Sequence, residues 1–319
     1  MATTIAMRHE AIARATTPMP GSVPYDNYRP VTVPADCDGW KLLDVLWRVV
    51  KHMPSGYWEQ EFALGRIEDD HHAPVGAERI ARTGERYLHK FPAVVEPDVN
   101  GRIVVLHEDE ALIVLNKPAP LPMHSGGRFY RNTLQYVLEQ VYHPQKPRPA
   151  HRLDANTTGI VLVTRTRHFA GLLQPQFSQG QVEKTYLVRV DGRPTEQTFS
   201  CTAPISAAAG ALGSRTVDLA NGLESRTDFT LLRTDADGTS LLEARPRTGR
   251  TNQIRIHCAH LGFPVCGDPA YLREGKLGQA QTLAVSDPPL CLHAWKIAFR
   301  HPLTRQPVEF TAPAPDWAR

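Results

Sequence analysis

The stretch "HRLDANTTG" sets His151, Arg152 and Asp154 almost side by side, then runs through Asn156, Thr157 and Thr158 to Gly159. Two readings compete for Asp154. It can cap an Asx-turn, the usual role of an Asp before small polar residues. Alternatively, neighbouring cations keep it ionised, which makes it a nucleophile or a base of the kind carboxylate enzymes use. The second basic stretch, "RPRTGRTNQIRIH", carries Arg245, Arg247, Arg250 and Arg255 around Gly249, just where a helix begins. Arginines beside the free N–H groups of a helix start form an anion site suited to phosphate. Arg255 lies between Ile254 and Ile256, so its guanidinium is partly buried and needs a carboxylate. Asp154 is a candidate partner. Tyr186, in "EKTYLVRV", offers an aromatic face or a phenol, but the residues alone favour an ordinary strand tyrosine.

Other chemistries lose weight. No P-loop, dinucleotide glycine pattern, zincin H-E-x-x-H or G-x-S-x-G is present. His257 and His260 flank Cys258, with Cys266 beyond and His71-His72 elsewhere, but no second pair sits at ligand spacing, and a core role is favoured over a metal. No cofactor is expected.

The elements that must hold these residues fall into two styles. In "KLLDVLWRVVKHM", Leu42, Leu43, Leu46, Val49, Val50 and Met53 recur at helical spacing up to Pro54. "SGYWEQEFALGRI" reads as a second short helix, with Ser55 as a cap and Gly65 near its end. From residue 101 the pattern turns to strands. "RIVVLH" and "ALIVLNK" form a hairpin, "TLQYVLEQVYH" and "FAGLLQPQFSQG" are helical, and "IVLVT" is a buried strand. "EKTYLVRV", the "RTDFTLLRT"/"SLLEARP" hairpin and "LHAWKIAFRH"/"PVEFTAP" add strands, and "TNQIRIHCAHLG" is a helix with Ile254, Cys258 and Leu261 on one face. The expected fold is α+β: a largely antiparallel mixed sheet with flanking helices over 101–319, preceded by a small α+β module over 31–95 and a flexible tail over 1–30.

The bulk numbers suit this. The 319 residues are 41% hydrophobic and 22% charged, with a net charge of +3, which permits a nucleic-acid partner without requiring one. The five cysteines are odd in number and lack a C-x-x-C pair, which points to a reducing, cytoplasmic setting. No apolar run approaches the ~20 residues of a membrane helix. No protein partner is evident, and a monomer is expected.

"HRLDANTTGIVLVTRT" closely resembles the H-R-L-D-x-x-T-[ST]-G motif of the RluA-type RNA pseudouridine synthases. "LIVLNKPAPLPMHSGG", "EKTYLVRV" and "RPRTGRTNQIRIHCAHLGFPVCGDPAY" resemble that family's N-K-P loop, its K-x-Y strand, and its T-G-R-x-x-Q-I-R helix with G-D-x-x-Y turn, in order over 101–315. Two departures are visible: Asn252 where many members carry His, and "KPAPLPMH" in place of K-P-A-G-L. The resemblance implies cofactor-free isomerisation of uridine to pseudouridine in structured RNA, ribosomal or transfer. Asp154 would be the essential carboxylate, Arg255 its partner, and Tyr186 the residue that stacks on uracil and serves proton transfer. Arg152 would fill the gap left by the flipped nucleotide, with RNA contacts from His151, Lys117, Lys184, Arg247, Arg250, Asn252 and Gln253. The alternative is an inactive RNA-binding protein of the same fold. Residues 39–91 resemble, more weakly, the S-four-like RNA-binding module.

Overall fold

In the computed structural model, which describes residues 2–210, 213–273, 276–278 and 280–319, the chain divides into two compact units. One comprises residues 23–95; the other joins residues 1–22 to 96–319.

The smaller unit carries β1 (Tyr25–Thr32), α2 (Leu42–Val49), α3 (Tyr57–Ala63), β2 (Ile67–Glu68) and β3 (Arg86–Val94). Its sheet order is β1-β3-β2, antiparallel throughout. The helical spacing read from the sequence holds in part. Leu42 and Leu46 are buried, with Val45, beside Trp58, Ile67 and Tyr87. The helix ends at Val49, which is exposed, short of the expected stop at Pro54. The cap of α3 differs from expectation. Gly56, not Ser55, occupies that position in the left-handed region (φ 80°), where a β-carbon is disfavoured.

The larger unit opens with α1 (Ala2–Ala15). It continues with β4 (Val104–Glu108), β5 (Leu112–Lys117), α4 (Leu134–Val141), β6 (Arg148–Pro149), β7 (Thr158–Thr164), α5 (Arg167–Ser178), β8 (Glu183–Asp191) and β9 (Thr198–Cys201). Then follow β10 (Thr227–Thr234), β11 (Thr239–Pro246), α6 (Gln253–His260), β12 (Leu292–Arg300) and β13 (Pro307–Thr311). Its strands form one ten-stranded sheet, β4-β5-β7-β12-β8-β11-β10-β9, with β13 on β12 and β6 on β7. The β7–β12 pair is parallel and the others are antiparallel. The apolar runs of β5 and β7 are explained by burial on both faces. Ile113, Leu115, Val161 and Val163 pack with α4 on one side. Leu112, Val114, Ile160 and Leu162 pack with Phe169 and Leu173 of α5 on the other. Farther along the sheet, Ile254 and Cys258 of α6 pack on Val188, Leu242 and Ala244, with Leu261 beside them.

The flexible tail expected over 1–30 is corrected on both sides of residue 22. Ile12 of α1 is 2% exposed and joins the core beside α4, while Tyr25–Thr32 is a paired strand of the smaller unit. The polar composition of the stretch hid two apolar anchors one turn-pair apart, Ile5 and Ile12. The larger unit is therefore discontinuous in sequence.

Candidate active site

The opening motif is a tight loop between β6 and β7. The Thr157 N–H donates to the Asp154 carbonyl (3.1 Å), closing the turn, and Asn156 bonds the Gln281 carbonyl and the Leu283 N–H. Gly159 ends the motif for a reason of space. Its φ is +111°, and a β-carbon there would stand 2.2 Å from the Ala294 carbonyl oxygen of β12. The glycine permits the parallel approach of β12, which brings Leu292 to the cleft beside the motif.

A cleft of about 560 Å³ opens over this loop. Asp154, Tyr186 and Arg255 line it together, with His151, Arg152, Lys184, Arg247, Arg250, Asn252 and Gln253. Asp154 is the only carboxylate among the described lining residues, and its side chain is 23% exposed.

Arg255 is buried, with Nη1 3.5 Å from Asp154 Oδ2. Its closer partner is Asp268, which accepts from Nε (2.8 Å) and Nη2 (2.7 Å) in a fork. Asn252 Oδ1 accepts a third bond from Nη1, and the guanidinium lies 5.0 Å from the Tyr271 ring centroid. Burial opposes the charge of Arg255, but the Asp268 bonds outweigh it and hold the pKa above the ordinary arginine value. Asp268 itself accepts the Ala270 and Tyr271 N–H groups, so a rigid turn carries it. Asp268 and Tyr271 lie in the "GDPAY" turn noted in the sequence; their grip on Arg255 was not read there.

Tyr186 is raised well above the ordinary phenol pKa, first by burial and then by the charge of Asp154. It stands in the cleft as a neutral phenol. His151 is pushed down to about 4 by burial and by Lys184, so it is neutral at pH 7. Its Nε2 accepts the Leu162 N–H and its ring stacks on Phe177 at 4.9 Å. Arg152, next in the chain, is exposed at the mouth of the cleft. Burial lowers the pKa of Lys184, whose Nζ donates to the Thr248 carbonyl.

Three of the residues expected at the RNA, Lys117, Asn252 and Gln253, are engaged in bonds within the protein. Lys117 has no exposed surface, and its Nζ donates to the carbonyls of Pro118, Leu121 and Ala155. It ties the loop after β5 to the residue following Asp154. Asn252 and Gln253 line the cleft, but internal bonds occupy their amides. Asn252 Nδ2 donates to the Tyr271 hydroxyl. Gln253 Oε1 accepts from Thr248 Oγ1 and the Arg250 N–H, and its Nε2 donates to the Arg226 carbonyl and Thr227 Oγ1. Gln253 thus shapes the basic loop that presents Arg247 and Arg250, both exposed. The ring of His257 points into the core, bonded to Thr227 Oγ1, Ser225 Oγ and the Ala203 carbonyl. No group of three or more candidate ligands for a metal ion occurs among the described residues.

Residues 111–260, which include Asp154, Tyr186 and Arg255, match the RNA pseudouridylate synthase family. Human pseudouridylate synthase RPUSD2 is 32% identical over 240 residues, 73% of this chain and 42% of that protein. The chain thus spans less than half of that relative's length. The uncharacterized RNA pseudouridine synthase slr1592 of Synechocystis sp. is 30% identical over 275 residues, covering 86% of this chain and 94% of its own. The solved structure of human RNA Pseudouridylate Synthase Domain Containing 1 superposes with a TM-score of 0.54 at 25% identity, over 67% of this chain and 84% of that one. The chain belongs to the RluA-type RNA pseudouridine synthase family.

Proposed function

We propose that this protein isomerises uridine to pseudouridine in ribosomal or transfer RNA, with Asp154 as the essential carboxylate. The observation that carries the reading is the meeting of Asp154, Tyr186 and Arg255 in one cleft that holds no other described carboxylate. The reaction breaks the bond between N1 of uracil and C1′ of the ribose and forms one between C5 and C1′. The C5 hydrogen leaves as a proton and N1 gains one, so no co-reactant is consumed. Asp154 opens the sequence, either by attack on C1′ or by removing the 2′ proton. Arg255, anchored on Asp268, holds a fixed positive charge 3.5 Å from the carboxylate and offsets its desolvation when RNA covers the cleft. Tyr186 offers its ring face to the base and its hydroxyl to the proton transfers that finish the product. Arg152 fills the stack left by the extruded nucleotide, offsetting part of an unstacking cost of about a few kcal/mol.

A glycosidase-like hydrolase would use two carboxylates across the scissile bond. Asp268, the other acid nearby, is buried and bonded bidentately to Arg255, which disfavours that reading. An inactive RNA-binding protein of the same fold would not need Asp154 held beside a buried arginine.

The unit formed by residues 23–95 is assigned an accessory, S-four-like RNA-binding role. Its phosphate contacts are few, because Lys41, Arg48 and Arg66 pair with Glu78, Asp36 and Glu61. The five free cysteines fit a cytoplasmic setting. No described helix is long and apolar enough to cross a membrane. The test is release of tritium from RNA labelled at C5 of uridine, with pseudouridine mapping to locate the product. Absence of release from ribosomal and transfer RNA of cells lacking the gene would reject the assignment.

A further inference from the structure

Beside the Asp154 cleft lies a second groove of about 580 Å³, lined by His124, Arg148, Arg152, Arg167 and Gln135 among others, with no carboxylate among its described residues. The two cavities share His151 and Arg152. We propose that this groove binds the RNA backbone next to the target uridine, so that the substrate strand runs from the Asp154 cleft across Arg152 to Arg148 and Arg167. The inference rests on the proposed reaction for the identity of its ligand.

The charge pattern carries it. Arg165, two residues before Arg167, is bound to Glu108, and Arg247 of the cleft lining shares Asp228 with Arg226. Arg148, Arg152 and Arg167 are exposed, and none has a carboxylate, hydrogen-bond or ring partner for its guanidinium among the described residues. Three unneutralised cations around one groove repel each other, and a polyanion relieves that repulsion. The groove walls are built to hold them in place. Arg148 lies on β6, paired with β7 through Arg148–Thr164 and Pro149–Val163. Arg167 is the first residue of α5, whose cap Thr166 accepts the Phe169 N–H. His124 faces the same space, its pKa lowered by burial and then by Arg152. A free phosphate would need only one such cation. A line of three joined to the site that holds the target nucleotide fits a phosphodiester chain.

The test uses the full-length protein and the double variant Arg148→Gln, Arg167→Gln, both positions being exposed and outside the proposed catalytic set. Fluorescence anisotropy reads binding of a labelled single-stranded RNA of about 16 nucleotides containing uridine, and of one of roughly 5 nucleotides that fills the Asp154 cleft alone. For the longer RNA, the slope of log affinity against log salt should fall by about 0.7 per lost contact, roughly 1.4 in all. The shorter RNA should bind both proteins alike. Equal slopes for the longer RNA would overturn the proposal, as would an equal loss for both RNAs, which marks a general charge effect. Tritium release is measured in parallel. If the wild-type protein releases none, the isomerase reading falls while the salt slopes still decide the groove.

Discussion

Asp268 holds Arg255 by two bonds of 2.7 and 2.8 Å, whereas Asp154 stands 3.5 Å from the same guanidinium. The buried arginine is therefore neutralised chiefly by a carboxylate outside the cleft lining, and Asp154 feels a nearby cation without being locked to it. A carboxylate engaged by the full fork would have its lone pairs occupied and its side chain fixed. Here Asp268 takes that role and Asp154 keeps an open face toward the cleft.

Asp154→Asn removes the charge with almost no change of shape. Turnover should fall to background in the tritium-release assay, while RNA affinity by filter binding changes by less than about tenfold, ~1.4 kcal/mol. Activity within a few-fold of wild type would refute the role given to Asp154.

Asp268→Asn tests the division of labour around Arg255. Removing one partner of a buried pair typically costs about 3–5 kcal/mol, and the freed guanidinium can then close on Asp154. The melting temperature should fall and turnover should drop sharply, with RNA affinity less affected. If melting and turnover both match wild type, Asp154 alone suffices as the partner of Arg255.

How much of this was legible in the sequence depends on the range of the interactions involved. β5 and β7 showed themselves as uninterrupted apolar runs, and Asp154 and Arg255 sit in stretches whose local chemistry is distinctive. Tyr186 reads as an ordinary strand tyrosine and stood out only through the family resemblance. The choice of Asp268 over Asp154 was not legible, because it depends on how a turn 13 residues beyond Arg255 folds back against α6. Lys117 misled for a similar reason. Only the family resemblance had set it at the RNA. The converging carbonyls of Pro118, Leu121 and Ala155, distant or unreadable in the sequence, make its burial tolerable. The helix at the N-terminus was hidden by composition, since its apolar face is two isoleucines wide.

Burial holds Lys117 down at about 7, with the charge of Asp154 opposing the shift. The unfolded lysine titrates near its ordinary value of about 10.4. Between these values the unfolded chain carries the extra proton, so raising the pH favours the folded state; below about 7 both forms are protonated and the penalty is fully present. The stability of wild type relative to Lys117→Met should therefore grow from pH 7 to 10, by at most roughly 1.4 kcal/mol per pH unit. Denaturant titrations of both proteins across that range measure it. A pH-independent difference would mean that the amine is not titrating in the fold.

Gly159→Ala places a methyl group 2.2 Å from the Ala294 carbonyl oxygen at a φ of +111°. Because the obstacle is backbone, no side chain can move aside, and the β7–β12 contact must open. Destabilisation by more than about 4 kcal/mol is expected, seen as loss of soluble protein or of a cooperative melt. A variant that melts within a few degrees of wild type would show that the close approach can relax.

Residues 1–22 should be indispensable to the larger unit although they lie far in sequence from its other strands. β4 is the edge strand of the ten-stranded sheet. α1 covers that edge: His9 Nε2 accepts the Val105 N–H at 2.9 Å, and Ile12 packs with Ile103 and Val105. Arg8 adds a hydrogen-bonded pair with the buried Glu108, at 3.1 Å. An uncovered edge with an apolar flank is a template for pairing with another chain. Ile12→Ala should lower stability by about 2–4 kcal/mol through the cavity it leaves, measured by denaturant unfolding. Deleting residues 1–22 should go further, giving protein that aggregates at concentrations where the full chain is soluble. Light scattering on the two proteins decides the matter. A deletion variant that stays monomeric and melts like wild type would show that β4 protects its own edge and that α1 is dispensable.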